Sequence, residues 1–123
     1  MQKEFVPYEL AVKLKVLGFD EPCFGLYDDI DKVFSQIHSM ASVHGEEYSR
    51  LKITKAPLYQ QTFKWFREEY ELGHMINGIG HESFIMNIAG VLHIFNAFEF
   101  NTYEEAELAC LEKLLEIVEF KKE

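Results

Sequence analysis

Apolar positions along this chain recur with two periods, one near 3.6 and one of 2, and the changes between them mark the elements. In VPYELAVKLKVLG, Leu10, Ala11, Leu14 and Leu17 fall on one helical face. Pro7 suits the first turn, where its missing N–H costs nothing. Gly18 stands where a left-handed residue ends a helix. The next stretch, FDEPCFGLYDD, excludes a helix at Pro22. Phe24 and Leu26 alternate with Cys23, Gly25 and Tyr27, which predicts a short strand running into an Asp-rich turn.

Residues 30–44 support two readings. Ile30, Val33, Phe34, Ile37 and Ala41 match helical spacing, with Gly45 as a stop. Alternatively, Val33 to His38 forms the second strand of a hairpin with Cys23 to Tyr27. Periodicity alone favours the helix.

APLYQQTFKWFREEYELG predicts a helix. Tyr59, Thr62, Phe63, Phe66 and Tyr70 form one apolar stripe, and Leu58, Trp65 and Leu72 a smaller one beside it. Trp65 is read in the first instance as packing under a neighbouring strand, and in the second as an aromatic anchor for a partner. Beyond Gly73 the period changes to 2. A short strand covers His74 to Asn77. Phe84, Met86 and Ile88 alternate with Ile85, Asn87 and Ala89, Gly90 turns the chain, and Leu92 and Ile94 alternate with Val91, His93 and Phe95.

NTYEEAELACLEKLLEIVEF predicts the last helix. Thr102 is its N-cap and Glu105, three residues on, completes a capping box. Cys110, Leu111, Leu114, Ile117 and Val118 make the buried face. With no internal repeat, low-complexity run or linker, the expected fold is one α+β domain over 1–123. Its order is helix, β-hairpin, helix, antiparallel meander, helix, with the helices on one face of the sheet.

Charge narrows the partners. The chain has 123 residues, with 12 Lys and Arg against 21 Asp and Glu, a net charge of −9. Binding a phosphate backbone or an anionic membrane needs clustered cations, so nucleic acid and membrane surfaces are not expected partners. A composition of 48% hydrophobic and 15% aromatic residues supplies a substantial core. Cys23 and Cys110 are too few for a disulfide framework and read as reduced, buried thiols. No signal-peptide pattern and no span of some 18 apolar residues is present, so a cytoplasmic setting is expected.

Candidate chemistry concentrates in ELGHMINGIGHESF. His74 and His81 would share a face on a helix, but Gly73, Gly78 and Gly80 disfavour one, and on a strand the odd offset separates them. Zinc sites show tighter spacings, so no metal and no cofactor is expected. NGIG precedes a strand rather than a helix N-terminus, and so makes a poor phosphate cradle. No G-x-S-x-G nucleophile elbow occurs, and Cys110 sits on an apolar helix face that would keep its thiol inert. Enzyme activity is therefore not the leading expectation. Glu107 falls inside the apolar stripe of the last helix, where a carboxylate must find partners. It bonds structurally or contacts a ligand or partner in a cleft. With Trp65, Arg67, His74 and His81 it completes the candidate ligand- or partner-binding set.

Three stretches, FVPYELAVKLKVLGFDEPC, APLYQQTFKWFREEYEL and NTYEEAELACLEKLLEIV, resemble an uncharacterised family of small acidic proteins. That family occurs in anaerobic gut bacteria and in their tailed phages and mobile elements. The resemblance covers about half the chain and rests on Tyr59-Gln60-Gln61, Trp65-Phe66-Arg67-Glu68 and Tyr103-Glu104-Glu105-Ala106-Glu107. It implies a hairpin after the Pro-Cys strand and a prophage or phage setting, and brings no functional residues with it. The hairpin is the reading taken for residues 30–44, with the helix as alternative. The expected function is a non-enzymatic accessory protein that contacts a host or phage protein. The alternative is a protein that binds or sequesters a nucleotide signal, and an enzyme of unassigned reaction comes third. Self-association through the Leu58, Trp65 and Leu72 stripe or a sheet edge is a further expectation.

Overall fold

The computed structural model describes residues 4–36, 45–76, 83–87, 90–95 and 100–122. The fold is α+β, with four helices and two three-stranded antiparallel sheets among the described residues. These fall into two compact units, Met1–Tyr59 and Gln60–Glu123.

The first unit holds helix α1 (Tyr8–Leu17), strands β1 (Gly25–Asp28) and β2 (Phe34–Gln36), helix α2 (Gly45–Arg50) and strand β3 (Ile53–Ala56). Pro7 lies one position before α1, extended at φ −61° and ψ 156°, and its carbonyl accepts the first helical bonds from Leu10 and Ala11. Gly18 ends α1 at φ 103°. Its N–H donates to Lys15 O at 3.1 Å and that of Phe19 to Leu14 O at 2.9 Å, the paired bonds of a Schellman closure. Leu10, Ala11 and Leu14 are buried, and α1 packs against β3.

The sheet order is β2-β1-β3. The hairpin of β1 and β2 is therefore present, and over residues 30–36 the helical spacing misleads. Ile30 and Val33 are 72% and 57% exposed, so they form no buried helical face. The cause is Asp28, whose carboxylate accepts from Ile30 N at 2.8 Å and Asp31 N at 3.4 Å and so holds a turn. Ile37, His38 and Ala41 lie outside the described residues. Gly25, in the central strand, has no room for a side chain: a Cβ there would meet Ala56 O, Phe34 and Phe5 at 2.9 Å.

Two elements depart from expectation. Gly45 begins a short helix rather than ending one, and β3 joins β1 to give a third strand. The helices therefore do not share one sheet: α1 packs on the first sheet, and in the second unit another helix packs on another sheet.

The second unit holds helix α3 (Tyr59–Tyr70), strands β4 (Gly73–Ile76), β5 (Ser83–Asn87) and β6 (Gly90–Phe95), and helix α4 (Tyr103–Lys122). The strands form the expected meander, order β4-β5-β6. Residues 77–82, with His81, Asn77 and the NGIG stretch, lie outside the described residues. Phe63, Phe66, Trp65 and Leu72 are all buried, so the second stripe of α3 is no exposed face. Glu71, at φ 56°, turns the chain out of α3. The Thr102 hydroxyl accepts from Glu105 N at 3.1 Å, while the Glu105 carboxylate accepts from Asn101 N at 3.0 Å. The capping box thus reaches back one residue further than its usual form. From α4, Ala106, Cys110, Leu111, Leu114, Leu115 and Val118 are buried, and the helix packs on β4 and β5. Cys23 and Cys110 are buried thiols.

Candidate binding surfaces

In the second unit, α3 and β4 bring two of the expected residues together. Phe63 and Arg67 lie one turn apart on α3. The His74 ring stacks on Phe63 with centroids 3.6 Å apart and planes 20° from parallel. Burial, reinforced by the Arg67 guanidinium, pushes the His74 pKa down to about 4. The imidazole is therefore neutral at pH 7. Its Nδ1 is buried and has no hydrogen-bond partner among the described residues. Trp65 is two residues from Arg67 and points another way round the helix. It is buried edge-on against Phe66 at 5.2 Å and Tyr70 at 5.5 Å. Glu107 is half-buried on α4. Its carboxylate joins burial in raising the pKa of Tyr103.

Among the described side chains of the meander, one row is covered and a neighbouring set is exposed. His74, Ile85 and His93 are cross-strand partners, and Ile85 is fully buried. The next row pairs Met75 with Phe84 and Phe84 with Ile94. Met75 is 50% exposed, Ile94 55% and Leu92, at an irregularity in the β5–β6 register, 45%. Three large apolar side chains on two strands thus face outward. The sequence shows their alternation, but alternation does not say which set faces the helix.

The first unit carries a charged site that sequence reasoning missed. Lys55 of β3 is 1% exposed, and its Nζ lies 2.8 Å from Asp20 Oδ1 and 3.2 Å from Asp20 O. The other Asp20 oxygen accepts from Gly45 N at 2.7 Å. The Tyr48 hydroxyl accepts from Lys55 N at 2.8 Å. Lys15 Nζ donates to Leu51 O at 3.2 Å and Ile53 O at 2.6 Å. Both ammonium groups lie over the Tyr48 ring, Lys15 at 4.4 Å and Lys55 at 4.5 Å from its centroid. Burial raises the Tyr48 pKa well above the usual phenol value, so its hydroxyl stays protonated. Side chains therefore take up the outer N–H of Lys55 and carbonyl of Ile53 on β3. Beside this cluster opens a cleft of about 290 Å³, lined in part by Lys15, Phe19, Asp20, Glu46 and Tyr48.

Among the described residues no group of three or more His, Cys, Asp or Glu is placed to hold a metal, and no helix is long and apolar enough to cross a membrane. Compared with protein-family models, curated proteins and solved structures, the chain has no significant match.

Proposed function

We propose that this chain is a non-enzymatic accessory protein that works by contact with another protein, through the open face of the β4–β6 meander. The observation that carries this reading is the outward exposure of Met75, Leu92 and Ile94 on one small sheet. Large exposed apolar side chains gathered on one small sheet suit a contact site, because burying them against a partner releases water at about 25 cal/mol per Å². The resemblance adds a phage or mobile-element setting with a host or phage protein as the partner, and the lack of a signal-peptide pattern in the sequence suits a cytoplasmic one. The test is cross-linking in cells of the native host, followed by mass spectrometry, with the double variant Met75→Gln/Ile94→Gln as control. A specific partner cross-linked near β4 or β6 and lost in a variant of unchanged melting temperature supports the reading. A partner that the variant retains, or no partner at all, overturns it. The cleft of the first unit supports a second reading, small-ligand binding, and with it the sequestering role.

A further inference from the structure

We infer that the cleft beside α2 binds a small zwitterion, a molecule carrying one ammonium and one carboxylate close together, as a free α-amino acid does. The inference rests on the small-ligand reading and names its ligand class. It follows from which charges around the cleft are already answered. Lys55 and Asp20 answer each other at 2.8 Å. Among the described residues Lys15 does not answer to a carboxylate: its partners there are two backbone carbonyls and the Tyr48 ring. Those partners are neutral, so its positive charge stays uncompensated while its position is held. An ammonium has three protons; two go to the carbonyls, and the third has no oxygen acceptor among the described residues, only the Tyr48 ring nearby. Glu46, exposed in the first turn of α2, carries the opposite charge with no ion-pair partner among the described residues. Lys15 and Glu46 line the same cleft.

This lining discriminates by sign. A simple anion such as phosphate would meet Lys15 but also Asp20 and Glu46. A simple cation would meet Glu46 but also Lys15, with Lys55 beneath. A molecule bearing both charges has an opposite charge available at each end, and like-charge juxtaposition penalises the alternatives. A volume of about 290 Å³ lies at the small end for ligand cavities and suits a compact molecule. The fixed Lys15 ammonium lowers the ordering cost of binding.

The experiment is saturation-transfer NMR on the full chain. The probes are the twenty L-amino acids, their N-acetyl and methyl-ester forms, and AMP and GMP. At least one free amino acid should receive saturation, and blocking either of its ends should weaken binding tenfold or more. Glu46→Gln changes an exposed side chain and should keep the fold while weakening binding tenfold. Lys15→Met should do the same through the other end. Amino-acid binding indifferent to blocking and to Glu46→Gln overturns the inference. Binding of AMP or GMP with no amino acid also overturns it, but leaves the small-ligand reading standing. Silence from every probe overturns both.

Discussion

The two sheets are closed by different chemistry. Behind β4 and β5 stands α4, whose inward residues are Ala, Cys, Leu and Val against a fully buried Ile85. Apolar burial of this kind is non-directional, and many side-chain combinations of similar volume would serve. The edge of β3 is closed instead by an ion pair, a tyrosine hydroxyl and two ammonium groups over one ring. A polar closure of this sort gains little net stability, since the charges lose their hydration, but it tolerates little change. It also fixes α2. Of the six residues of that helix only Tyr48 is buried, so Tyr48 and the Asp20 bond to Gly45 N are what hold it.

The comparison breaks most readily at Asp20. Asp20→Ala strands the Lys55 ammonium in an almost fully buried position and also removes the acceptor of Gly45 N. Breaking a buried pair on one side costs on the order of 3 kcal/mol, somewhat less here because the Asp20 side chain is a third exposed. The apolar counterpart, Leu114→Ala on α4, should cost about as much through the cavity it leaves. The two differ in repair. Adding Lys55→Met to Asp20→Ala removes the stranded charge and should restore most of the loss, as double-mutant denaturation would show. If the double variant is no more stable than Asp20→Ala alone, the ion pair is not what closes this edge.

The same contrast explains what the sequence revealed. The meander and α4 were legible because burial on one face writes a period of 2 or 3.6 into the apolar positions. β3 was not legible. In Ile53, Thr54, Lys55 and Ala56 the last three are all buried, so no alternation survives, and two of those are polar. Thr54 is buried because Asp29 accepts its hydroxyl at 2.6 Å, and Lys55 because Asp20 meets its charge. Both partners are more than twenty residues away, and a lysine read alone belongs on the surface. The candidate site followed the same rule. Arg67 and His74 lie close in sequence and could be considered together from it, whereas Lys15, Asp20, Tyr48 and Lys55 meet only through the fold.

Histidine sharpens the contrast, because the second unit buries a titratable group with no charged partner of opposite sign among the described residues. The His74 pKa lies near 4, below its ordinary value of about 6.5. Between those values the unfolded chain binds a proton that the folded chain refuses. Stability from this residue therefore falls as pH drops from about 6.5 to 4 and is unaffected above that window. Partial exposure reduces the full linkage to about 2 kcal/mol. His74→Gln should flatten the acid limb of the stability curve by that amount, and Arg67→Gln should raise the His74 pKa part of the way. Titration of the ring proton by NMR checks both. A midpoint near 6.5 in the unaltered chain would contradict the stacked, buried placement.

The smallest effect is expected at the N-terminus of α4, where the second unit relies on a polar contact of its own. The Thr102 hydroxyl satisfies Glu105 N, one of the helix donors with no partner inside the helix. Thr102→Ala should cost about 1 kcal/mol, and Thr102→Ser almost nothing, since the acceptor oxygen is kept. This bond is exposed, so water can replace the lost acceptor, as it cannot at Lys55. The gap between about 1 and about 3 kcal/mol therefore measures what burial adds to a polar contact. Equal losses at Thr102 and Asp20 in urea denaturation would mean that Lys55 is solvated in solution, and the two sheets would then differ in composition but not in how they are held.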